Sequence, residues 1–459
     1  MSVSGALWAW GSNEFGRLGD GTTTDRSAPV IILGREAIGS AIIDAADHYA
    51  LLEDGTVWAW GPGTRSYGAI AQRSFPHRDN DTRAVEFWAS PPGFRAIKAD
   101  SGTQKFYALG LDGRVWTWAY GGDLAPMPEL WDIDQIFMVK TVTGHHMFAQ
   151  RRSGEVWTWG RESRSFAAPI PVPTRLSNVA NAVSIVGHQT AMYALDAKGI
   201  VWSWGSNLRG QLGLGTDDKM NSPDPEQVLD LSEVIDISVG GQSALALKSD
   251  GSVWAWGDNE HGQLGDGTNT NRNRPVPVAG LGDITQVAHV QVMSYALRAD
   301  GTLWAWGFNG QGQLGIGSEG QNAHRPVQVN GLPRISEISA GSSHLYVIGE
   351  DGTLWTWGGN KYGVLGDGTT STRNHPVRVK NLRGVTAVFP NGIRPLAIAH
   401  EEQPKSQQSV RGPADAQGGV PMRSSRSGCY VATAVYGNYE CPQVWVLRRW
   451  RDTTLTSTI

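Results

Sequence analysis

The chain has 459 residues, of which 40% are hydrophobic and 18% charged, a composition typical of a folded globular protein with a large core. Its formal net charge is −4, and residues 403–459 carry 7 Lys and Arg against 3 Asp and Glu, so the remaining body is more acidic than the whole. An acidic body argues against a general phosphate-binding surface, and we expect no nucleic-acid partner.

The start of the chain shows no basic region followed by an apolar core, so we expect no secretory signal. No run of 18 apolar residues occurs, and no membrane span is expected. The 2 Cys exclude a disulfide scaffold and favour a reducing compartment. We therefore expect a cytoplasmic protein.

A Trp-x-Trp marker recurs along the chain, and successive first Trp lie 41 to 58 residues apart. A period in this range is typical of solenoids, propellers and arrays. The marker accounts for 16 of the 20 Trp, so the Trp excess belongs to the repeat. The pairs are Trp8 with Trp10, Trp58 with Trp60, Trp116 with Trp118, Trp157 with Trp159, Trp202 with Trp204, Trp254 with Trp256, Trp304 with Trp306, and Trp355 with Trp357.

Each unit has the pattern of two strand pairs. In the cleanest copy, the apolar run 239–247 is followed by an Asp250-Gly251 turn and by the second run 253–256. Asp-Gly between two β-prone runs predicts a hairpin, since Gly accepts the positive φ of a tight turn. The 58 Gly argue against long helices. Short, evenly spaced strands with one aromatic motif per unit predict an all-β fold, a single-ring β-propeller.

The pattern Ala-Leu-x-x-Asp-Gly-x-Val-Trp-x-Trp-Gly-x-Asn-x-x-Gly-Gln-Leu-Gly resembles the regulator of chromosome condensation repeat. The matching stretches are 194–213, 246–265, 296–315 and, with substitutions, 347–366. This resemblance covers residues 1–402 and implies a propeller, usually with seven blades. It also implies a binding platform, because many members of that family bind partners, and the namesake is an exchange factor for a nuclear GTPase.

The first half of the unit occurs eight times, out of step by one with the Trp pairs. The last half, residues 385–399, has no Trp pair of its own, and Trp8 with Trp10 has no preceding half. We expect these two halves to pair and close the ring, which covers both sheet edges. The repeat count then predicts eight blades, against the family norm of seven.

Five units carry a full Asn-x-x-Gly-x-Leu-Gly loop, and residues 61–180 break this rule. Binding residues in repeat proteins concentrate on loops held by a regular scaffold, so one interpretation is a partner site in this stretch. The alternative is neutral decay of units stabilised by their neighbours. The predicted partner-binding residues are Arg65, Tyr67, Phe75 and Arg78.

No acid, base or nucleophile recurs with the repeat, and no nucleotide-binding Gly-rich loop occurs, so we expect no catalysis and no cofactor. The acidic loops 266–271 and 367–372 lack the carboxylates of a calcium site, so we expect their Asp and Asn to stabilise turns and no metal to bind. Four His near one place in the repeat predict structural hydrogen bonds: His48, His145, His188 and His344.

Residues 403–428 contain no aromatic residue and are expected to form a disordered linker. Residues 429–459 resemble the CFI-box segment of assorted bacterial proteins, on Cys429-Tyr-Val-Ala-Thr-Ala, Tyr436-Gly437 and Arg451-Asp452. That resemblance implies a bacterial source and a docking element of obscure role, and Pro442 predicts the start of a short helix. The predicted tail element comprises Cys429, Tyr436, Arg448 and Arg451.

The sequence therefore predicts a propeller over residues 1–402, a linker and a short helical tail. The predicted function is that of a monomeric, non-enzymatic scaffold that presents loops to a protein partner. One alternative is guanine-nucleotide exchange on a small GTPase, which the family resemblance implies. A second alternative is carbohydrate binding by an exposed Trp ladder, although burial of the Trp between blades is the simpler expectation.

Overall fold

A computed structural model describes residues 5–34, 42–46, 49–54, 57–60, 85–88, 93–100, 105–119, 124–141, 144–160, 170–188, 190–216 and 221–400. The predicted linker and the predicted helical tail lie outside these residues. The same holds for two sets of predicted site residues, which are Arg65, Tyr67, Phe75 and Arg78, and Cys429, Tyr436, Arg448 and Arg451.

The described residues are almost entirely β-structure, with one three-residue 3-10 helix at Glu14–Gly16. In chain order the strands are β1 (Ala6–Gly11), β2 (Arg26–Leu33), β3 (Ile42–Ala46), β4 (Tyr49–Leu52), β5 (Val57–Ala59), β6 (Val85–Trp88), β7 (Phe94–Asp100), β8 (Lys105–Gly110), β9 (Val115–Ala119), β10 (Ala125–Pro126), β11 (Ile133–Thr141), β12 (Gly144–Arg151), β13 (Glu155–Gly160), β14 (Ile170–Ala180), β15 (Ala182–His188), β16 (Ala191–Asp196), β17 (Val201–Ser206), β18 (Asn221–Gln227), β19 (Val234–Gly240), β20 (Ser243–Lys248), β21 (Val253–Gly257), β22 (Arg272–Pro277), β23 (Ile284–Val290), β24 (Met293–Arg298), β25 (Leu303–Gly307), β26 (Ala323–Gln328), β27 (Ile335–Ala340), β28 (His344–Gly349), β29 (Leu354–Gly358), β30 (Arg373–Arg378), β31 (Ala387–Phe389) and β32 (Leu396–Ala399).

The described strands form eight four-stranded antiparallel sheets. We number them along the ring: sheet 1 contains β31, β32, β1 and β2, and sheets 2 to 8 take the remaining strands four at a time from β3 to β30. The first strand of a sheet contacts the first strand of the next, as β15 does with β19 and β19 with β23. These first strands therefore lie innermost around the ring axis.

Sheet 1 joins the two ends of the described chain. In it β1 pairs with β32, so that Ala6 lies opposite Ala399 and Trp8 opposite Ala397. The sequence-based expectation that the last half-unit pairs with the first is confirmed. Sheet 1 covers both edges that an open array of sheets would expose.

Eight buried hydrophobic clusters hold neighbouring sheets together among the described residues. Each cluster combines side chains from two adjacent sheets. At the closing junctions, Trp60 of sheet 2 packs with Leu7 of sheet 1, and Tyr346 of sheet 8 packs with Trp10 of sheet 1. The ring is therefore continuous, and the predicted all-β single-ring propeller is confirmed.

The ring has two faces because antiparallel strands reverse at alternate ends. The turn face carries the hairpins between the second and third strands, such as Asp250–Gly251, and the connections from one sheet to the next. Gly251 has a φ of 78°, the positive value that makes glycine favourable in this turn. The loop face carries the turns between first and second strands and the Asn-x-x-Gly-x-Leu-Gly loops after the third strands. The two faces offer different surfaces to a partner.

Candidate interaction surface

Each Asn-x-x-Gly-x-Leu-Gly loop binds the second Trp of the following sheet. We call these five loops clasp loops; they are residues 13–19, 207–213, 259–265, 309–315 and 360–366. All eight second Trp are buried, whereas all eight first Trp are half-buried. Five second Trp donate their indole N–H to a clasp-loop carbonyl: Trp10 to Val364 at 2.6 Å, Trp60 to Arg17 at 3.0 Å, Trp256 to Gln211 at 2.8 Å, Trp306 to Gln263 at 2.9 Å and Trp357 to Gln313 at 2.9 Å. The loops therefore have a structural role.

The Asn that starts each clasp loop holds the loop together from inside. Asn259 is fully buried, and its Oδ1 accepts a 2.9 Å hydrogen bond from the Leu264 backbone N–H. Its Nδ2 donates to the carbonyls of Thr268 and Thr270 at 3.2 and 3.1 Å. Nearby Asp266 is bound by Arg272 at 2.6 Å. The prediction that Asp and Asn stabilise these turns is confirmed, and the carboxylate is already used by the arginine.

Sheets 3 to 5 follow sheets without a clasp loop, so the second Trp of each has no clasp-loop carbonyl to which its indole N–H can donate. The buried Nε1 atom of Trp159 has no hydrogen-bond partner among the described residues. Leaving such a donor unpaired costs free energy, about 1–3 kcal/mol. The departure of residues 61–180 from the repeat rule therefore has a structural counterpart in the described part of this region.

An exposed tryptophan marks the same region on the turn face. Trp131 is 56% exposed, and among the tryptophan side chains that the structure describes it alone is exposed. It lies in the connection from sheet 3 to sheet 4, one residue before Asp132, which has a φ of 56°. Other sheets have small residues or an arginine at this position: Ala180, Ser232, Gly282, Pro333 and Arg383.

Arg151 fills the space between Trp131 and the Trp157 of the repeat. Its guanidinium carbon lies 4.5 Å from the centre of the Trp131 ring and 4.6 Å from that of Trp157. The same repeat position is basic in sheets 6 and 7, where Lys248 covers Trp254 at 5.8 Å and Arg298 covers Trp304 at 5.1 Å. In sheet 4 the added Trp131 turns this pair into a Trp–Arg–Trp stack, which fixes an aromatic ring at the surface.

A second large apolar side chain on the turn face is Leu111. It is 67% exposed, in the hairpin turn between β8 and β9. The turn is bound to the Trp131 segment, because the Ile133 backbone N–H donates to the Gly113 carbonyl at 2.8 Å. Other hairpins carry polar or small residues at the position of Leu111: Glu53, Arg152, Ala197, Ser249, Ala299 and Glu350.

The residues that follow these two apolar side chains in sequence, Asp112 and Asp132, form ion pairs. Arg152 pairs with Asp132 at 3.5 Å, and Arg114 approaches Asp112 at 3.9 Å. We call the group formed by Leu111, Asp112, Arg114, Trp131, Asp132, Arg151 and Arg152 the Trp131 surface. An aromatic anchor with a polar rim is the arrangement in which binding energy concentrates at protein interfaces.

The histidines take different positions from those the sequence suggested. His145 lies 3.5 Å from the Tyr107 hydroxyl and His188 lies 3.1 Å from the Gly241 carbonyl, so the predicted hydrogen bonds are confirmed for both. The prediction is wrong for His344, whose two ring nitrogens are buried without a partner. His146, not His145, shares the register of His344, since each pairs with the glycine after a Trp pair. His48 lies outside the described residues.

Several buried groups have shifted pKa values. Burial lowers the pKa of His344 to about 4, and burial with the nearby His145 lowers that of His146 to about 4. Burial raises the pKa of Asp236, on the innermost strand β19, to about 8. These groups face protein and not solvent, so they influence stability and offer no accessible acid or base.

The described residues were also considered as a metal site and as a membrane span. No group of three or more His, Cys, Asp or Glu in them is arranged to hold a metal ion. Their helices include none with the length and apolar character needed to cross a membrane.

A family model described as the RCC1-like domain matches residues 143–400, more than half of the chain. The chain belongs to the RCC1-like domain family. A second model, the regulator of chromosome condensation (RCC1) repeat, matches residues 4–46, at the other end of the ring. The family resemblance inferred from the repeat is confirmed, and the resemblance of the tail to a CFI-box stays a prediction.

Relatives of this RCC1-like chain include two proteins of very different length. It is 30% identical over 353 residues to the E3 ubiquitin-protein ligase HERC2 of Mus musculus, covering 72% of this chain and 7% of HERC2. It is 33% identical over 291 residues to the ultraviolet-B receptor UVR8 of Arabidopsis thaliana, covering 58% of this chain and 64% of UVR8. The chain thus spans only a small part of HERC2, to which the ligase activity belongs.

Among solved structures, the chain is similar to Prp20p from Saccharomyces cerevisiae, whose binding to Gsp1p and histones was studied with it. The TM-score is 0.59 at 20% identity, covering 88% of this chain and 93% of Prp20p. Human WBSCR16 matches with a TM-score of 0.58 at 20% identity, covering 87% and 100%. At this identity the likeness shows the fold alone.

Proposed function

We propose that this RCC1-like propeller is a non-enzymatic scaffold that binds a protein partner through the Trp131 surface. The observation that carries the proposal is the Trp–Arg–Trp stack that fixes an exposed Trp131 ring on the turn face, where Leu111 is exposed as well. Large aromatic and Arg side chains dominate binding energy at protein interfaces, and a ring held in advance loses little entropy on binding.

The position of these residues within the repeat supports a role beyond folding. Trp131 and Leu111 each replace small or polar residues of other sheets, and neither is needed for the inter-sheet packing that those sheets achieve without them.

The proposal is tested by a pull-down from lysate of the native host with the full chain, the Trp131→Ala variant and a Leu208→Ala control. Leu208 is 66% exposed and follows β17 on the loop face. Leu208→Ala therefore truncates a side chain of similar exposure to Trp131, but on the opposite face of the ring. We expect a partner that the wild type and the control retain and that Trp131→Ala loses by about 10-fold or more. Equal retention by Trp131→Ala would reject the site.

A guanine-nucleotide exchange role stays the alternative, and the same pull-down addresses it. If the partner lost on Trp131→Ala is a small GTPase, a nucleotide-release assay decides whether the propeller acts on bound nucleotide. Nucleotide release at the GTPase's intrinsic rate would support the scaffold function alone. Nucleotide release accelerated about 10-fold or more by the propeller would establish exchange activity.

We also infer that each four-stranded sheet is one blade. The eight sheets and the eight inter-sheet clusters of the described residues support a count of eight blades, against the family norm of seven. An electron-density map of the ring viewed along its axis tests this directly, and a map with seven sheets would contradict it.

A further inference from the structure

We infer that the partner segment that contacts the Trp131 surface is an extended, uncharged peptide segment with an apolar side chain, not a basic or acidic one. This inference rests on the proposed function, since it names the chemistry that the same site accepts. Three features of the site carry it: the cation behind the ring, the balanced rim, and the groups left free for contact.

The first feature is the charge behind Trp131. An exposed indole ring usually attracts Lys or Arg through its electron-rich face. Here the Arg151 guanidinium already lies 4.5 Å from the centre of the ring. A cation on the outer face would then lie roughly 8 Å from Arg151, close enough for like-charge repulsion to oppose the attraction. The ring therefore favours an uncharged group on its outer face.

The second feature is the charge balance of the rim. Asp112 is near Arg114, Asp132 near Arg152 and Asp134 near Arg95, at 3.5 to 3.9 Å. Arg151 and Arg175 share Glu155, at 3.5 and 3.4 Å. Each of these five arginines therefore already has a carboxylate partner. A charged partner would have to displace one of these pairings and gains no net field from the site.

The third feature is what remains free for contact. Trp131 and Leu111 are 56% and 67% exposed. The Trp131 indole N–H has no hydrogen-bond partner among the described residues, so it can donate to a backbone carbonyl of the partner. An apolar side chain stacked on the ring, with a carbonyl accepting this N–H, uses both groups. Proline suits this pairing because it is flat, uncharged and already extended.

The experiment is selection of a random peptide library displayed on phage against the full chain, with depletion on Trp131→Ala. We expect the selected peptides to be uncharged and to carry Pro, aliphatic or aromatic residues. Their affinity for the wild type should change by less than about 2-fold when NaCl rises about 10-fold, because screening acts on charges and not on apolar contacts. Leu208→Ala should bind them as the wild type does.

The outcomes separate the two proposals. Selected peptides rich in Lys, Arg, Asp or Glu, lost on Trp131→Ala and weakened about 10-fold or more by salt, would overturn the uncharged chemistry and leave the Trp131 surface in place. Selected peptides that bind Trp131→Ala and the wild type equally, or no wild-type-specific enrichment, would overturn the proposed site and this inference together.

Discussion

Asp236 provides the sharpest test of how the inner strands of the ring are held. It lies on β19 opposite Leu247 of β20, and burial raises the pKa of its carboxyl from 3.8 to about 8. In the next sheet the equivalent residue is Gln286, opposite Leu297. The Gln286 side chain bridges to sheet 8, accepting from the Ile338 N–H at 3.0 Å and donating to the Ile338 carbonyl at 3.1 Å. The neighbouring sheet thus fills this place with an uncharged side chain.

The sign and size of the effect follow from the pKa. Because the folded protein holds the Asp236 proton more tightly than the unfolded chain, the stability that the neutral carboxyl supports is complete below pH 3.8. It is lost as the pH rises towards about 8. The loss is about 1.4 kcal/mol per pH unit inside this window, or about 3 kcal/mol between pH 5 and pH 7.

The variant Asp236→Asn removes the titrating group and keeps its size. The free energy of unfolding of the wild type, minus that of the variant, should fall by about 3 kcal/mol from pH 5 to pH 7. Guanidinium denaturation at half-unit pH steps measures it. Asp250→Asn, on the exposed hairpin of the same sheet, is the control and should show no slope in this range, because hydrogen bonds from Ser252 lower the pKa of Asp250. A flat difference for Asp236→Asn would refute the buried, neutral carboxyl.

Two further variants test other parts of the ring. His344→Met introduces the residue that sheet 7 has at this place, Met293, and removes a histidine whose pKa burial lowers from 6.5 to about 4. As the pH falls from 6.5 to about 4, the free energy of unfolding of the wild type should fall by about 3 kcal/mol relative to that of the variant, because the unfolded chain takes up the proton first. A difference between the two proteins that stays constant across pH would contradict this. Asn259→Ala leaves the Leu264 N–H and two carbonyls of the clasp loop without their partner, so we expect a loss of about 3 kcal/mol in chemical denaturation. Glu260→Ala, next to it and exposed, should cost less than about 0.5 kcal/mol, and equal losses for the two variants would show that the buried amide does not hold the loop.

The regular part of this fold could be predicted from the sequence because each feature recurs. The Trp pairs, the Asp-Gly turns and the apolar runs give strand, turn and strand in every unit, and the unmatched halves at the two ends predict the closure in sheet 1. The Asn of the clasp loops could be assigned to turns. The hydrogen-bond partners of this Asn, such as the Thr268 and Thr270 carbonyls around Asn259, could be identified only from the folded loop.

The interaction surface could not be predicted in the same way, because it departs from the repeat only at single positions. Trp131 and Leu111 stand where other units have small or polar residues, and an alignment of the units would have shown both. The stacking of Arg151 between two rings needed the structure, since residues 131, 151 and 157 meet only when the connection, β12 and β13 are folded. The predicted partner residues Arg65, Tyr67, Phe75 and Arg78 lie outside the described residues and stay a prediction.

The pull-down with wild type, Trp131→Ala and Leu208→Ala tests the central claim most directly. We expect one partner that is retained by the wild type and by Leu208→Ala and lost with Trp131→Ala, while the melting temperatures of all three proteins agree within a few degrees. A partner retained equally by all three proteins would contradict the account and would move the binding site away from the Trp131 surface.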